Sequence, residues 1–269
     1  MNKQDWTLRE VPWEAVLNRG STFEGAAQEE ALSRLLFIIE QRRSNGLLFG
    51  PPGCGKTLML ENLARIVRRS AREVAIVDVH GRNASEILWE LCGELGINPR
   101  YGEHPFVLWR RIQDHFVARQ STESPAVILL DHADQGADEA DVLVSRLIHL
   151  ARQGRGLTLI VAARANHLSD LSVPLREATD IRVELKWLDR RQTGEFVHAV
   201  FQGPGGGAPT FNEPALDRLH ALTAGSPRLL TLLCDLSLLS TLANDEPVVT
   251  DRAIYNAAAD LQLTFEGIN

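Results

Sequence analysis

A run of eight residues has the types and the spacing that bind phosphate groups. From Gly50 to Thr57 it follows the pattern Gly-x-x-x-x-Gly-Lys-Thr. Glycines in such a run let the backbone bend, so that its N–H groups point at an anion beside the start of a helix. The amine of Lys56 then contacts the outer phosphates of a nucleotide, and the hydroxyl of Thr57 ligates Mg²⁺. The predicted contact residues are Gly50, Pro51, Pro52, Gly53, Cys54, Gly55, Lys56, Thr57 and Leu58.

The segments on either side of this run have the periodicity that a phosphate loop requires. Residues 46–49 form a short apolar run, and residues 58–67 repeat their apolar positions at helical spacing. Strand, loop and helix in this order are the setting in which the pattern binds phosphate. The alternative is a chance cluster of glycines in a tight turn, which this setting makes the weaker explanation.

A nucleotide site of this kind needs an acidic residue at the end of a neighbouring buried strand to hold Mg²⁺ and its water. Residues 126–130 are five consecutive apolar residues, and Asp131 follows them directly. A buried strand can also end in an aspartate that only caps a turn. Because the phosphate loop lies upstream, the metal interpretation is favoured, and the predicted magnesium ligands are Thr57 and Asp131.

Two residues beyond Asp131 are candidates for activating water. A neutral imidazole such as that of His132 can orient a water molecule and accept its proton near neutral pH. Asp134 is the second candidate. The alternative is that neither residue does chemistry, in which case the chain binds a nucleotide without turning it over.

Five segments have the composition of buried strands, and helical patterns separate them. Such alternation predicts an α/β fold with a doubly wound, five-stranded parallel sheet flanked by helices. The strands are predicted at residues 46–49, 74–79, 126–131, 158–163 and 181–185, and the helices at residues 25–43, 58–67, 83–95, 105–118 and 138–152.

After Trp187 the apolar pattern is helical only. Its segments begin with a capping residue or a proline, near Asp189, Asn212, Pro227 and Thr250. We therefore predict a second domain that is all helical. The expected boundaries are an N-terminal arm over 1–20, the α/β domain over 21–187, the helical domain over 188–262 and a tail over 263–269.

The charge balance bears on the class of partner. The net charge is −7 with a pI near 5.6, which argues against a protein whose main task is to coat nucleic acid or acidic membrane. Four arginines at the end of the first helix after the loop suit a DNA backbone, but cations are also expected at a helix C-terminus. DNA is thus a possible but disfavoured partner. Those arginines are Arg65, Arg68, Arg69 and Arg72.

The cysteines and the apolar runs bear on the compartment. The three cysteines are widely spaced, which favours reduced thiols over a disulfide framework or a zinc site. The first residues lack the layout of a signal peptide, and no apolar run has the length of a membrane span. We therefore expect a cytoplasmic protein without membrane insertion.

With these features in place, the chain resembles the AAA+ ATPases, and in particular the branch of general secretion pathway protein A (ExeA-like) and the TniB-type transposition ATPases. Residues 6–13 are similar to the aromatic and proline-containing opening of the secretion-type members, and residues 30–35 to their first helix. The segment Gly225-Ser226-Pro227-Arg228, continued to Leu233-Cys234-Asp235, is similar to their lid motif. The likeness covers roughly residues 5–262.

The resemblance implies ATP as the nucleotide, with ADP as the product, and a helical lid over residues 188–262. It implies that Arg228 contacts the γ-phosphate, so that lid angle depends on the bound nucleotide. It also implies partners, either further copies of the chain or another protein. Among these relatives a DNA-associated transposition accessory is a third possible role, beside an ATPase and a nucleotide-gated switch that hydrolyses little or nothing.

The chain departs from the family pattern at three places. His132 stands where hydrolysing relatives have Glu. The polar sensor of the fourth strand is either Arg164 or Asn166. Arg176 lies one helical turn before the usual position of the arginine finger, which makes completion of the site by a neighbouring subunit doubtful. Loss of a finger alone typically lowers the rate by about 10³–10⁵.

Overall fold

A computed structural model describes residues 25–70, 72–119, 126–154, 156–165, 173, 176, 180–201 and 210–261. The predicted arm over 1–20, the tail over 263–269 and the sensor candidate Asn166 lie outside these residues. One compact unit comprises Ala27–Leu185, and Lys186 begins another.

The first unit contains a five-stranded sheet in which all strand pairs are parallel. Its strands are β1 (Asn45–Gly50), β2 (Val74–Asp78), β3 (Ala126–Asp131), β4 (Leu157–Arg164) and β5 (Ile181–Glu184). Their order across the sheet is β2-β3-β4-β1-β5. The predicted parallel sheet is therefore confirmed, and the chain crosses over between strands that are not consecutive.

Helices of this unit follow the predicted apolar patterns. They are α1 (Ala26–Glu40), α2 (Lys56–Arg69), α3 (Ala84–Glu94), α4 (Pro105–Arg119) and α5 (Asp138–Arg152). At the start of α3, the side chain of Asn83 accepts hydrogen bonds from two backbone N–H groups, and Glu86 bonds back to the N–H of Asn83. This capping box matches the sequence signature and fixes where α3 begins.

Burial explains why the strands read as apolar runs. Every residue of β1 and β3 is buried, as expected for a parallel sheet with helices on both faces. One large cluster joins sheet residues to the inner faces of α3, α4 and α5. The rigid strands therefore deliver their final residues, Gly50 and Asp131 among them, to one edge of the sheet.

The second unit is mainly helical. It contains α6 (Arg190–Phe201), α7 (Glu213–Thr223), α8 (Pro227–Ala243) and α9 (Asp251–Asp260) around one apolar cluster. A short parallel pair, β6 (Thr210–Phe211) with β7 (Val248–Val249), accompanies the helices. Two-residue strands carry too little periodicity to be predicted from the sequence. Within the described ranges, none of the helices combines the length and apolar composition needed to cross a bilayer.

Candidate nucleotide-binding site

The phosphate-loop pattern forms the connection between β1 and α2. β1 lies between β4 and β5, so its last residue, Gly50, stands inside the sheet. A Cβ atom on Gly50 would lie 2.1 Å from the carbonyl oxygen of Leu185. The glycine is thus required by a close backbone approach, and the loop leaves the sheet at a fixed point.

The middle of the loop uses backbone conformations that favour glycine. Gly53 has a φ of 73° and Gly55 a φ of 99°, both in the left-handed region. Gly55 is also the N-cap of α2, and no side chain caps this helix start. A Cβ atom on Gly55 would meet nothing within 4 Å. The start of α2 thus has free space beside Gly55 and no side-chain cap, which is the arrangement that suits an anion.

Lys56 lies in the first turn of α2 and is 7% exposed. Its ammonium donates hydrogen bonds to the carbonyl oxygens of Gly50 and Pro51, each at 2.9 Å, and lies 3.7 Å from the Sγ atom of Cys54. The backbone carbonyl groups of the loop thereby hold the Lys56 ammonium in place. Burial raises the pKa of the Cys54 thiol, although the Lys56 charge opposes this, so Cys54 packs beneath the loop as a neutral group.

The two predicted magnesium ligands meet at the edge of the sheet. The hydroxyl of Thr57 donates a hydrogen bond of 2.6 Å to Oδ2 of Asp131, which is 4% exposed. Oδ1 of Asp131 accepts a hydrogen bond of 2.8 Å from the backbone N–H of His132. Residues separated by 74 positions in sequence are thereby brought into direct contact.

These residues fit Mg²⁺ in a nucleotide site. The ion takes oxygen ligands and is usually bound by one or two protein groups together with water and substrate phosphates. Thr57 and Asp131 offer a hydroxyl and a carboxylate side by side. Among the described residues, no group of three His, Cys, Asp or Glu side chains could hold a metal ion by itself. Thr57 and Asp131 would supply part of a coordination shell, and water and substrate phosphates would complete it.

Glu61 lies one turn beyond Thr57 on α2. Partial burial and the negative charge of Asp131 both raise the pKa of Glu61. This carboxylate therefore lies in the electrostatic field of the magnesium candidates. Its spacing of four residues from Thr57, which places both on one helix face, is the signal by which the sequence could have shown it.

His132 occupies a left-handed turn directly after β3. Its φ is 51°, an uncommon value for a residue with a side chain. Its Nδ1 atom lies 2.9 Å from Oδ1 of Asp78, the last residue of β2, and its side chain is 30% exposed. The strand register places Asp78 opposite Asp131. Sequence reasoning missed Asp78, since only strand pairing brings it to His132.

The other catalytic candidate of this turn, Asp134, is engaged elsewhere. Its carboxylate accepts hydrogen bonds from the backbone N–H and from Nε of Arg164, at 2.8 and 3.2 Å. The contact ties the turn after β3 to the end of β4. The side chains of Asp134 and Arg164 are therefore bonded to each other. Arg164 is the sensor candidate that lies within the described residues.

Arg228 lies in the first turn of α8, in the second unit. Its side chain is exposed, and the described residues offer it no hydrogen bond or ion pair. Gly225, three residues earlier, has a φ of 80°, and a Cβ there would lie 1.8 Å from the carbonyl oxygen of Leu188. The start of the predicted lid motif is thus fixed by backbone packing, and Pro227 begins the helix that presents Arg228.

Residues 39–171 match the family model described as an AAA domain. This chain belongs to the AAA+ ATPases. The match runs from the end of α1 through β4 and includes the phosphate loop, Asp78 and Asp131. The family predicted from the motifs is therefore confirmed.

Relatives and solved structures extend the similarity beyond that domain. General secretion pathway protein A of Aeromonas hydrophila is 24% identical over 266 residues, which is 97% of this chain and 48% of that protein. This chain thus spans about half the length of that relative. Cdc6p of Pyrobaculum aerophilum has a similar structure, with a TM-score of 0.73 and 17% identity over 98% of this chain and 71% of that chain. The Aeropyrum pernix ORC1 protein, solved in complex with DNA, has a TM-score of 0.68 and 17% identity over 87% of this chain and 65% of that chain.

Proposed function

We propose that this AAA+ protein binds Mg-ATP at Gly50–Thr57 and hydrolyses it slowly to ADP and phosphate in the cytoplasm. The observation that carries the proposal is the contact between Thr57 and Asp131 beside the buried ammonium of Lys56. Hydrogen-bond donors for phosphate, the positive charge of Lys56 and the predicted magnesium ligands lie close together there. Family membership supports ATP as the nucleotide.

Each group has a separate role in this proposal. The N–H groups of the loop and the first turn of α2 bind phosphate oxygens, and Lys56 turns from the loop carbonyls to the outer phosphates. Thr57 and Asp131 hold Mg²⁺, which neutralises phosphate charge when bound. His132 orients the attacking water in place of the usual Glu, while Asp134 braces the turn through Arg164.

The second unit acts as the lid in this proposal. The exposed guanidinium of Arg228 at the start of α8 suits contact with a γ-phosphate. Contact of Arg228 with a γ-phosphate, which ADP lacks, would make the conformation of the second unit depend on which nucleotide is bound, as in other nucleotide switches. The moving lid would act on further copies of the chain or on another protein.

A second candidate is a nucleotide-gated switch that binds Mg-ATP without turning it over. The residue that favours it is His132, because imidazole lacks the fixed negative charge of Glu. In this case, variants that weaken nucleotide binding would still disrupt function. No substitution would lower a rate of hydrolysis, because the wild-type protein does not hydrolyse ATP.

The test compares Mg-ATP binding by calorimetry with steady-state release of phosphate. For wild type we expect binding together with slow turnover. Lys56→Ala should weaken binding at least about 100-fold, since it removes a charge paired with phosphate in a site of low dielectric. Arg69→Ala, which removes a charge at the far end of the same helix, is the matched control and should bind normally.

The two candidates give different results in this test. Unchanged affinity in Lys56→Ala would refute the assigned site. Binding by wild type without phosphate release would favour the switch over the ATPase. Retention on DNA that falls steeply with salt would instead support the role of a DNA-associated accessory.

A further inference from the structure

A groove opens between the first half of α5 and the starts of α3 and α4. Its volume is about 300 Å³, and its lining includes Leu88, Phe106, Val142 and Leu143. The two leucines are buried, whereas Phe106 is 68% and Val142 61% exposed. The lining residues are separate from those assigned to the nucleotide and to Mg²⁺. Exposed apolar side chains beside buried leucines form a surface that suits burial of a further apolar side chain.

Two charged side chains of opposite sign line the same groove. Glu139 and Arg146 both lie on α5, with Val142 and Leu143 between them in sequence. Spacings of three, four and seven residues place all four on one face of the helix. Neither charged side chain forms an ion pair with a residue that the structure describes. Since seven residues of α-helix rise about 10.5 Å, the groove is apolar in its middle and oppositely charged toward its two ends.

An aromatic ring holds the positive end of the groove in position. The guanidinium carbon of Arg146 lies 4.3 Å from the centroid of the Trp109 ring, well inside the range of a cation–π contact. Trp109 is 6% exposed and belongs to the main apolar cluster, so the ring is itself fixed by the core. A guanidinium stacked by its face keeps its in-plane N–H donors available. Arg146 therefore presents a preorganised pair of donors that fits a carboxylate.

We propose that this groove docks an amphipathic helix of a partner protein, one with an acidic and a basic residue seven positions apart and leucine-like side chains between them. The acidic residue contacts Arg146, the basic residue lies beside Glu139, and the apolar side chains cover Phe106 and Val142. Charge complementarity carries this choice, because ends of opposite sign select against a helix whose face bears a single sign of charge. Apolar grooves bind amphipathic helices through side chains at this spacing. The inference goes beyond nucleotide binding and does not depend on it.

The test uses a designed peptide as the probe. It is an alanine-rich, fluorescently labelled helix with Glu, Leu, Leu and Lys at positions i, i+3, i+4 and i+7. Titration with the full chain, followed by fluorescence anisotropy, measures the dissociation constant, which we expect at or below about 1 mM. Two further peptides replace either the Glu or the Lys by Gln. Each should bind about two- to fivefold more weakly, the range expected for a partly exposed ion pair.

Variants of the groove separate docking from folding. Val142 is largely exposed, so Val142→Asp should leave the fold intact and weaken probe binding at least about tenfold, because docking would bury a charge. Val117→Asp, at a position of α4 that is 47% exposed, is the matched control and should bind normally. Arg146→Glu should reverse the preference, so that a peptide with Lys in place of its Glu binds more tightly than the original probe. Arg110→Glu, which changes an exposed arginine of α4 that pairs with Asp114, should keep the wild-type preference.

The results that would overturn the inference differ from one another. Absence of probe binding at about 1 mM, or equal binding by wild type and Val142→Asp, would refute the docking site. Equal affinity of wild type for all the peptides, with no reversal of preference in Arg146→Glu, would refute the stated chemistry of the partner. Self-association of the chain that Val142→Asp abolishes would identify a second copy as the occupant, and the partner helix would then be wrong.

Discussion

Two left-handed turns stand at the same edge of the sheet, and they use opposite chemistry. The loop after β1 reaches the left-handed region with glycines, at Gly53 and Gly55, and presents N–H donors and an ammonium. The turn after β3 reaches it with a histidine, His132, and presents carboxylates and an imidazole. The first turn suits phosphate, and the second suits a cation and a water molecule.

The two turns differ in the steric cost of their left-handed conformation and in the side chain that each provides. Glycine adopts the left-handed conformation without steric cost, but it contributes no side chain. A non-glycine residue there costs about 1 kcal/mol or more, yet places a functional group at a fixed point. At this edge of the sheet the strained residue, His132, stands where we propose that a side chain acts, and the glycines stand where we propose that the backbone acts.

The largest expected effect comes from removing the carboxylate charge of Asp131, the residue directly before the second turn. Asp131→Asn should raise the Mg²⁺ concentration needed for half-maximal turnover and lower kcat about 100-fold, because an amide binds Mg²⁺ poorly and the metal term is worth several kcal/mol. Magnesium titration of phosphate release is the measurement.

Asp134→Asn removes a carboxylate from the same turn and serves as its control. Because Asp134 bonds to Arg164, the magnesium requirement should not change. Equal magnesium curves for wild type and Asp131→Asn would contradict the assignment of phosphate to the first turn and of the cation to the second.

A smaller effect is expected from making the second turn more like other family members. His132→Glu puts a third negative charge beside Asp78 and Asp131, so we expect kcat to fall about tenfold rather than rise. Asp78→Asn in the same chain should restore turnover by removing the like charge. Phosphate release by the single and double variants is compared, and a single variant faster than wild type would contradict the fit of this turn to histidine.

The first turn can be tested through stability. Gly55→Ala places a side chain at a φ of 99° and should lower the free energy of unfolding by about 1–2 kcal/mol. Gly93→Ala, inside α3 where an added Cβ meets nothing, should raise it by about 0.5–1 kcal/mol. Urea unfolding of both variants measures the contrast, and equal stabilities would show that the conformation of Gly55 is not a constraint.

The smallest effect concerns pH. The pKa of Asp78 in the folded protein lies below its usual value, so its carboxylate stabilises the fold above that usual value, and this contribution is lost as pH falls through the folded pKa. Asp78→Asn should thus be less stable than wild type at about pH 7, and the two should converge below about pH 4. Thermal unfolding at several pH values checks this, and a gap that widens in acid would contradict it.

The sequence alone was sufficient for every part that depends on local pattern. Apolar runs marked the buried strands because a parallel sheet excludes water on both faces, and capping residues such as Asn83 marked helix starts. The loop from Gly50 to Thr57 was readable because one continuous segment carries its chemistry. Family membership followed from the same motifs, whereas the roles assigned to Lys56 and Arg228 remain proposals.

The tertiary structure decided the surroundings of the second turn. Asp78 and His132 are 54 positions apart, and strand register alone makes them neighbours. Asp134 looked equivalent to His132 in the sequence, but its contact with Arg164 at the end of β4 removes it from the open edge. Hydrophobic periodicity specifies which face of a strand is buried, while the pairing of strand ends depends on the packing of the whole sheet. The sequence by itself therefore determined the fold class and the phosphate loop, and only the tertiary structure determined the short β6–β7 pair and which carboxylate faces the histidine.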